Sequence, residues 1–458
     1  MKKYFLAVAS FFIYSHISLG QVYPGQMDST FVPVRSHHYD PELTFDFCVN
    51  EPAWSNQAGI HSAFGSTDRL YFRKEVPVNH DNDLSSSYST TVWRGERANA
   101  QILVWSSEAL EQVRVSTQDL RSAEGNIIPK DRITFELVRY VLSNYPYAEK
   151  KAICGESPYK SGFLMPDRFE TLDRFDLPSQ TTRPVWMMVD VPRGTVPGTY
   201  KGQVEVRAKG KAPQLLNLEI VVQNQLLPYP KDWKYRLDLW QNPWAVAWYN
   251  HVEPWSPEHK MLLKQHLKHY ADAGGTYITT YGVHSPWSDN SYMIEGGMIE
   301  WIKKADGTWA FDYKIFDEYV ELAMECGIDE AITLYTPIPW GFRHRYKDEA
   351  TGDYSYINWA PSSEEFKKMW NIFLTDFKFH LEAKSWLDIT YIGINENPME
   401  ETLAAINVVR NHDKCWKITY AGNWHKELDG LLDDYSFLYG EEPTIAEQKA
   451  RAATGRTS

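Results

Sequence analysis

Two periods of hydrophobic residues run along this chain, and they divide it. From Val32 to Pro228 short runs alternate apolar and polar residues with a period of two. Tyr200, Gly202, Val204, Val206 and Ala208 alternate with Lys201, Gln203, Glu205 and Arg207, and after Gly210 to Pro213 the residues Leu216, Leu218, Ile220 and Val222 alternate again. Successive side chains of a strand point to opposite faces, so this is a hairpin with one buried face. Similar runs at Gln101 to Trp105, Val113 to Ser116, Ile133 to Leu142 and Val185 to Val191, with no amphipathic helix between them, predict an antiparallel β-sandwich over residues 21–228.

Past Pro228-Tyr229-Pro230 the period changes. Strand-like runs at Tyr235 to Leu239, Thr276 to Tyr281, Ala331 to Tyr335, Ile389 to Ile394, Lys417 to Ala421 and Tyr435 to Leu438 alternate with helical stretches, the pattern of parallel βα units. After Pro361 a capping box, Ser362 to Glu365, opens a helix that buries Phe366, Met369, Trp370, Phe373 and Phe377. Phe316, Tyr319, Val320, Ala323 and Cys326 form a second such stripe, which makes Cys326 a packing residue. The expectation for residues 229–458 is a (β/α)8-type TIM barrel. Only about six βα units are counted before Ser458, with Thr444 to Thr454 as the sixth helix, so a barrel cut short at its C-terminus is expected.

Composition narrows the class. Lys2 and Lys3, the apolar run Phe5 to Tyr14, and Ser18-Leu19-Gly20 before Gln21 read as a cleaved signal peptide over residues 1–20, which implies export to the periplasm or beyond. That run is shorter than the ~20 residues a membrane span needs, and no later stretch is longer and apolar, so no span is expected. The first cysteine is Cys48, too far from the signal for a thioether lipid anchor. A net charge of −13, spread along the chain, argues against nucleic acid as a partner. Cys48, Cys154, Cys326 and Cys415 show no CxxC spacing, which argues against a zinc site and leaves a Cys48–Cys154 bridge open. No cofactor and no metal are implied. Aromatic residues make up 14% of the chain and include 18 tryptophans, flat faces on which sugar rings stack.

Barrel enzymes carry their reactive groups at the C-terminal ends of the strands. The run Ile389 to Ile394 delivers Asn395 and Glu396 to such an end, followed by Asn397 as helix cap and Pro398 at the first helical position. A carboxylic acid there is placed to protonate a leaving oxygen. Trp240, His284, Trp287, Tyr335, Trp340 and the run Asn423-Trp424-His425 close the other strands and supply the aromatic faces and oriented polar groups of a pyranose site. No phosphate-binding loop, nucleophile elbow or HExxH helix competes with this reading.

The chain resembles glycoside hydrolase family 123. In the first domain the likeness lies in His61-Ser62-Ala63-Phe64-Gly65-Ser66-Thr67, Trp93 to Gln101 and Pro197-Gly198-Thr199-Tyr200; in the second it lies in Tyr391 to Glu400 and Ala421-Gly422-Asn423-Trp424-His425. The resemblance implies a β-N-acetylgalactosaminidase with a β-sandwich before its barrel. Its implied reaction is a retaining one in which the sugar's own 2-acetamido group attacks C1 to form an oxazoline. The implied partner is therefore an N-acetylhexosamine-containing glycan. The family's catalytic Asp-Glu pair falls on Asn395 and Glu396, so Glu396 is the expected acid and Asn395, a neutral amide, stands where the family has the carboxylate that orients the acetamido. Two readings stay open on these residues: a glycosidase slowed by Asn395, and a glycan-binding relative with weak or no catalysis.

Overall fold

The computed structural model describes residues 51–78, 84–143, 163–287, 296–438, 440 and 442–457, with two short strands at Met27–Asp28 and Glu42–Leu43. The expected signal segment, Cys48 and Cys154 lie outside the described residues. The chain divides into two units, Met1–Leu227 and Pro228–Ser458.

In the first unit, a five-stranded sheet runs in the order Phe163–Glu170, Ile133–Ser143, Thr181–Asp190, Arg97–Ser106, His61–Gly65. A second sheet runs Phe175–Leu177, Leu110–Thr117, Gly198–Arg207, Gln214–Leu226, Ser87–Arg94, with Leu120–Arg121 and Ile127–Ile128 at its side. Ala100, Ile102 and Val104 of one sheet share a core with Val204, Val206 and Ile220 of the other. The inward positions of the alternating runs thus fill one interior between two layers. One pairing departs from the antiparallel expectation: Ser87–Arg94 runs parallel to Gln214–Leu226. These strands are not joined by a turn, so the constraint that makes hairpins antiparallel does not act on them. Arg139 and Glu170 form an ion pair buried within this unit.

In the second unit, five parallel strands lie in chain order: Tyr277–Tyr281, Ala331–Tyr335, Thr390–Ile394, Lys417–Gly422 and Asp434–Phe437. The second to sixth expected strands lie in place, each end within a residue. The first, Tyr235 to Leu239, is not a regular strand; only Leu237 bridges to Gly275. Side chains have taken over its ladder. The Tyr270 hydroxyl donates to Leu237 O (2.7 Å) and accepts from Leu239 N–H (3.3 Å), while Gln241 Oε1 accepts from Thr279 N–H (3.0 Å). Gly275 permits this, because a Cβ there would lie 2.2 Å from the Tyr270 ring. At the other edge Thr457 makes a parallel bridge to Asp434.

Helices Pro257–Asp272, Lys314–Glu325, Glu364–Lys384, Met399–His412 and Ile445–Ala453 follow the strands or precede them in the expected alternation. The stripes Phe316 to Ala323 and Phe366 to Phe377 are buried as their spacing predicts. Two helix starts differ by a residue. Ser363, not Ser362, caps Glu364–Lys384 by accepting from Phe366 N–H (3.1 Å). Pro398 is the cap of Met399–His412, and Asn397 instead donates its side-chain N–H to Ile338 O (3.1 Å). A four-stranded sheet, Trp309–Asp312, Glu300–Lys303, Arg343–Asp348 and Tyr354–Asn358, is built from the segments after the first two parallel strands. It packs Trp301 flat on Phe373 at 4.8 Å. Among the described residues no helix is long and apolar enough to cross a membrane.

Candidate functional site

The Thr390–Ile394 strand buries Ile392 and Ile394 completely and ends on two residues with opposite environments. Asn395 is 3% exposed, whereas the next residue, Glu396, is exposed. The reason is local: Asn395 is tied down at both its backbone and its side chain. Its N–H donates to Thr336 Oγ1 (3.3 Å), just past the Ala331–Tyr335 strand. Its Oδ1 accepts from the Trp287 indole N–H (3.1 Å) and from the backbone N–H of Glu396 (3.0 Å). Its Nδ2 is buried without a partner among the described residues.

Trp287 belongs to an aromatic cluster that holds it in place. It stacks with Trp240 (5.3 Å between centroids), tilts against Tyr335 (5.2 Å) and meets Tyr281 edge-on (5.5 Å). Trp240 also meets Tyr335 at 4.9 Å and is 46% exposed, so one face of the cluster is open to a ligand. Aromatic faces of this kind suit the axial hydrogens of a sugar ring.

Glu396 reaches the neighbouring Lys417–Gly422 strand. A Cβ on Gly422 would sit 2.5 Å from Glu396 Oε1 and 2.7 Å from the Tyr420 hydroxyl, so only glycine leaves room for the carboxylate there. Burial, then the Glu396 charge and Tyr435, push the Tyr420 phenol up to about 12, which keeps it a neutral donor near the carboxylate. One residue beyond Gly422, Asn423 O accepts from the Tyr435 hydroxyl (2.6 Å), which in turn accepts from His425 N–H (2.8 Å). Trp424 packs on Tyr435 at 5.2 Å.

The sequence-predicted residues therefore separate into groups. Trp240, Tyr335 and Asn395 meet around Trp287; Glu396 lies against Gly422, next to Asn423-Trp424-His425. His284 is held neutral, its imidazole pushed down to about 4 by burial and then by Arg345 and Arg343, and its Nδ1 is buried without a partner among the described residues. Trp340 is 37% exposed and its backbone N–H donates to Pro286 O (2.9 Å). No described contact joins either residue to the Asn395–Glu396 pair. Tyr420 escaped sequence reasoning, and Gly422 entered it only within the run Ala421 to His425, with no role of its own. A tyrosine within a strand and a glycine at its end carry no mark of chemistry until the fold sets a carboxylate against them.

Asp238, just before Trp240, is also raised, to about 6, by burial first and then by the charge of Asp434. Asp434 is buried and accepts from the hydroxyls of Thr419 (3.1 Å) and Thr457. Among the described residues no group of three or more His, Cys, Asp or Glu is arranged to hold a metal ion.

Residues 240–458 match the family model described as the glycoside hydrolase 123 catalytic domain, and residues 64–208 match the glycoside hydrolase 123 N-terminal domain. None of the curated proteins matches the sequence significantly. Among solved structures, a family 123 glycoside hydrolase from Clostridium perfringens, studied for glycolipid glycan hydrolysis, is similar with a TM-score of 0.76. It is 24% identical, over 88% of this chain and 72% of that one, a likeness of fold. A family 39 glycoside hydrolase from the gut symbiont Bacteroides cellulosilyticus is 13% identical over 71% of this chain and 55% of its own, with a TM-score of 0.25, too low to carry an argument.

Proposed function

This chain belongs to glycoside hydrolase family 123, and from that premise we propose that it is an exported, retaining β-N-acetylgalactosaminidase whose catalytic domain is of the (β/α)-barrel kind. The observation that carries the reading is the pair at the end of the Thr390–Ile394 strand: a buried, pinned Asn395 followed by an exposed Glu396 beside Gly422. One side chain of such a pair is suited to hold a substituent of the sugar, and the other to exchange protons at its anomeric bond.

In the proposed reaction Glu396, protonated, gives its proton to the glycosidic oxygen as the C1–O bond breaks. The carbonyl oxygen of the sugar's 2-acetamido group attacks C1 from the opposite face and forms an oxazolinium ring. Glu396, now a carboxylate, takes a proton from the water that reopens this ring at C1, and the two inversions leave the configuration retained. No enzyme carboxylate bonds to carbon in this scheme, one of the exceptions to two-carboxylate glycoside hydrolysis. Trp240 is proposed as the stacking platform, with Tyr335, His284, Trp340, Asn423, Trp424 and His425 around the sugar. The glycan of a glycolipid, the material named for the Clostridium perfringens relative, is a fitting substrate.

Asn395 is the weak point of this site. An amide carries no charge to balance the oxazolinium, and the loss of one such preorganised group costs about 2.7 to 4 kcal/mol, roughly a hundred- to a thousandfold in rate. The test is release of a chromophore from an aryl β-N-acetylgalactosaminide by purified protein and by Glu396→Gln. Hydrolysis by the wild type that disappears in Glu396→Gln, with sugar binding retained, supports the reading. A folded wild type that binds the sugar and never cleaves it makes the chain a glycan-binding relative.

A further inference from the structure

The four-stranded sheet of the second unit has a face that the proposed chemistry does not use. In the strand Arg343–Asp348, His344 is buried; it lies against Trp359 at 4.8 Å and accepts from the Trp370 indole N–H (3.2 Å). Tyr346, on the same side by alternation, meets Trp309 at 5.1 Å. Successive side chains of a strand point to opposite faces, so these two residues turn Arg343, Arg345 and Lys347 to the outer face. The partner strand Tyr354–Asn358 pairs Tyr356 with Arg345 and Tyr354 with Lys347, which brings both tyrosines to that face, each about half exposed. Arg343 lies over the Tyr356 ring at 4.5 Å and Arg345 over the Tyr354 ring at 4.2 Å. A guanidinium laid on a ring keeps its N–H groups at its edge, where they form a fork that fits a carboxylate.

Arg345 is already balanced: Glu300 Oε2 lies 3.7 Å from it and accepts from the Tyr354 hydroxyl (2.9 Å). Arg343 and Lys347 are exposed and form no ion pair among the described residues. In a chain of net charge −13, uncompensated cations on one strand face form a local attraction for an anion. The face is also continuous with the proposed site. The chain leaving the Ala331–Tyr335 strand carries Trp340, whose N–H donates to Pro286 O (2.9 Å) beside Trp287, and then enters Arg343–Asp348. The charges of Arg345 and Arg343 reach His284, just past the Tyr277–Tyr281 strand, where they add to burial in holding its imidazole down. Arg343 and Lys347 stand about 13 Å apart along an extended strand, a length that spans more than one sugar ring. Exposed tyrosine rings suit the faces of such rings. Lipid surfaces, by contrast, are held by clusters of about 4 to 8 basic residues, which this face lacks.

We propose that the outer face of the Arg343–Asp348 and Tyr354–Asn358 strands binds an acidic saccharide, the part of the glycan that carries a carboxylate next to the N-acetylhexosamine. The carboxylate is taken by Arg343 with Lys347 beside it, and the sugar rings lie along Tyr356 and Tyr354. This deepens the glycosidase reading and rests on it for the sugar held at Asn395 and Glu396. It narrows the substrate class from N-acetylhexosamine-containing glycans to those with an acidic sugar adjoining.

The probe is a pentasaccharide of alternating β-linked N-acetylgalactosamine and glucuronic acid, with N-acetylgalactosamine at both ends, beside the same sugar with its carboxylates reduced to alcohols. Both are titrated calorimetrically into the Glu396→Gln protein, so that the sugar is bound without being consumed. They are titrated likewise into that protein carrying Lys347→Gln, or Arg343→Gln together with Lys347→Gln, each first checked for an intact melting transition. The acidic form is expected to bind Glu396→Gln about tenfold or more tighter than the neutral form, the worth of one charge-assisted contact. That preference is expected to shrink with Lys347→Gln, to vanish when Arg343 is also replaced, and to fall as salt is raised. If the double replacement does not fold, the Lys347→Gln ratio decides, since Lys347 is exposed. Equal binding of the two forms by Glu396→Gln overturns the acidic-saccharide role, and cleavage of the aryl β-N-acetylgalactosaminide by the wild type then leaves the glycosidase reading standing. An acid preference that depends on Lys347, in a protein whose wild type cleaves no aryl glycoside, keeps this face and overturns hydrolysis. A folded protein that binds neither form overturns the sugar site, and this face with it. Sedimentation with vesicles of phosphatidylserine and phosphatidylcholine that is lost in the double replacement, without an acid preference among the sugars, assigns the face to a membrane and overturns the proposal.

Discussion

Gly422→Ala places one methyl group against the proposed acid. The added carbon would lie 2.5 Å from Glu396 Oε1 and 2.9 Å from Glu396 Cγ, whereas ordinary contact begins near 3.4 Å. The carboxylate must therefore retreat by about 1 Å, and misplacing a reacting group by that much is enough to cost about a hundredfold in rate. Stability should change far less, because Glu396 is exposed and its carboxylate is the free end of a flexible chain. The second clash, 2.7 Å to the Tyr420 hydroxyl, falls on a buried ring that yields less readily. It is relieved by making Gly422→Ala together with Tyr420→Phe. The assay is kcat/KM on an aryl β-N-acetylgalactosaminide beside a thermal melt of each protein. The expected result is activity near one hundredth of wild type in both variants, with any melting loss of the single variant restored in the double. Wild-type activity in a folded Gly422→Ala protein would refute the placement of Glu396 as the proton donor.

Two further predictions concern stability. The Asp238 carboxyl is raised to about 6 by burial, then by Asp434, so the folded state holds its proton more tightly than the unfolded chain does. Stability from this group is complete below its unfolded value near 4 and declines as pH rises through about 6. Its ionisation then costs roughly 2 to 3 kcal/mol. Asp238→Asn should accordingly raise urea resistance at pH 7.5 and leave it unchanged at pH 4, and an equal effect at both would contradict the burial argument. In the first unit, Arg139→Ala takes from the buried Glu170 its ion-pair partner, at an expected cost of about 3 to 5 kcal/mol. Replacing both members of the pair is the control: Arg139→Met together with Glu170→Leu should recover most of that loss in chemical denaturation.

Much of the framework was legible because it depends on neighbours in sequence. The alternation from Tyr200 to Ala208 could only bury one face of a strand, and Gly198–Arg207 does so. The spacing of Phe366, Met369, Trp370, Phe373 and Phe377 could only describe one side of a helix. The strand from Thr390 to Ile394 and the polar pair that ends it were visible for the same reason. What misled the reading was replacement of backbone pairing by side chains. Tyr235 to Leu239 has a strand's pattern, but side chains make the hydrogen bonds that a ladder would have made: that of Tyr270, from a distant helix, and that of Gln241, two residues past the segment's end. The parallel pairing of Ser87–Arg94 with Gln214–Leu226 was hidden likewise, since no local signal records which distant strand closes an edge.

The sequence by itself determined the two periods, hence a strand-paired unit followed by βα alternation, and it determined that Asn395 and Glu396 leave a buried strand together. Their environments were decided only in three dimensions. Trp287 is 108 residues from Asn395 in the chain, yet its N–H gives the amide its orientation. Gly422 and Tyr420 lie on the next strand, yet they bound the space of the Glu396 carboxylate. The periodicity of one segment sets which way its own side chains face, but hydrogen-bond direction and steric room at a strand end belong to whichever strands pairing brings alongside.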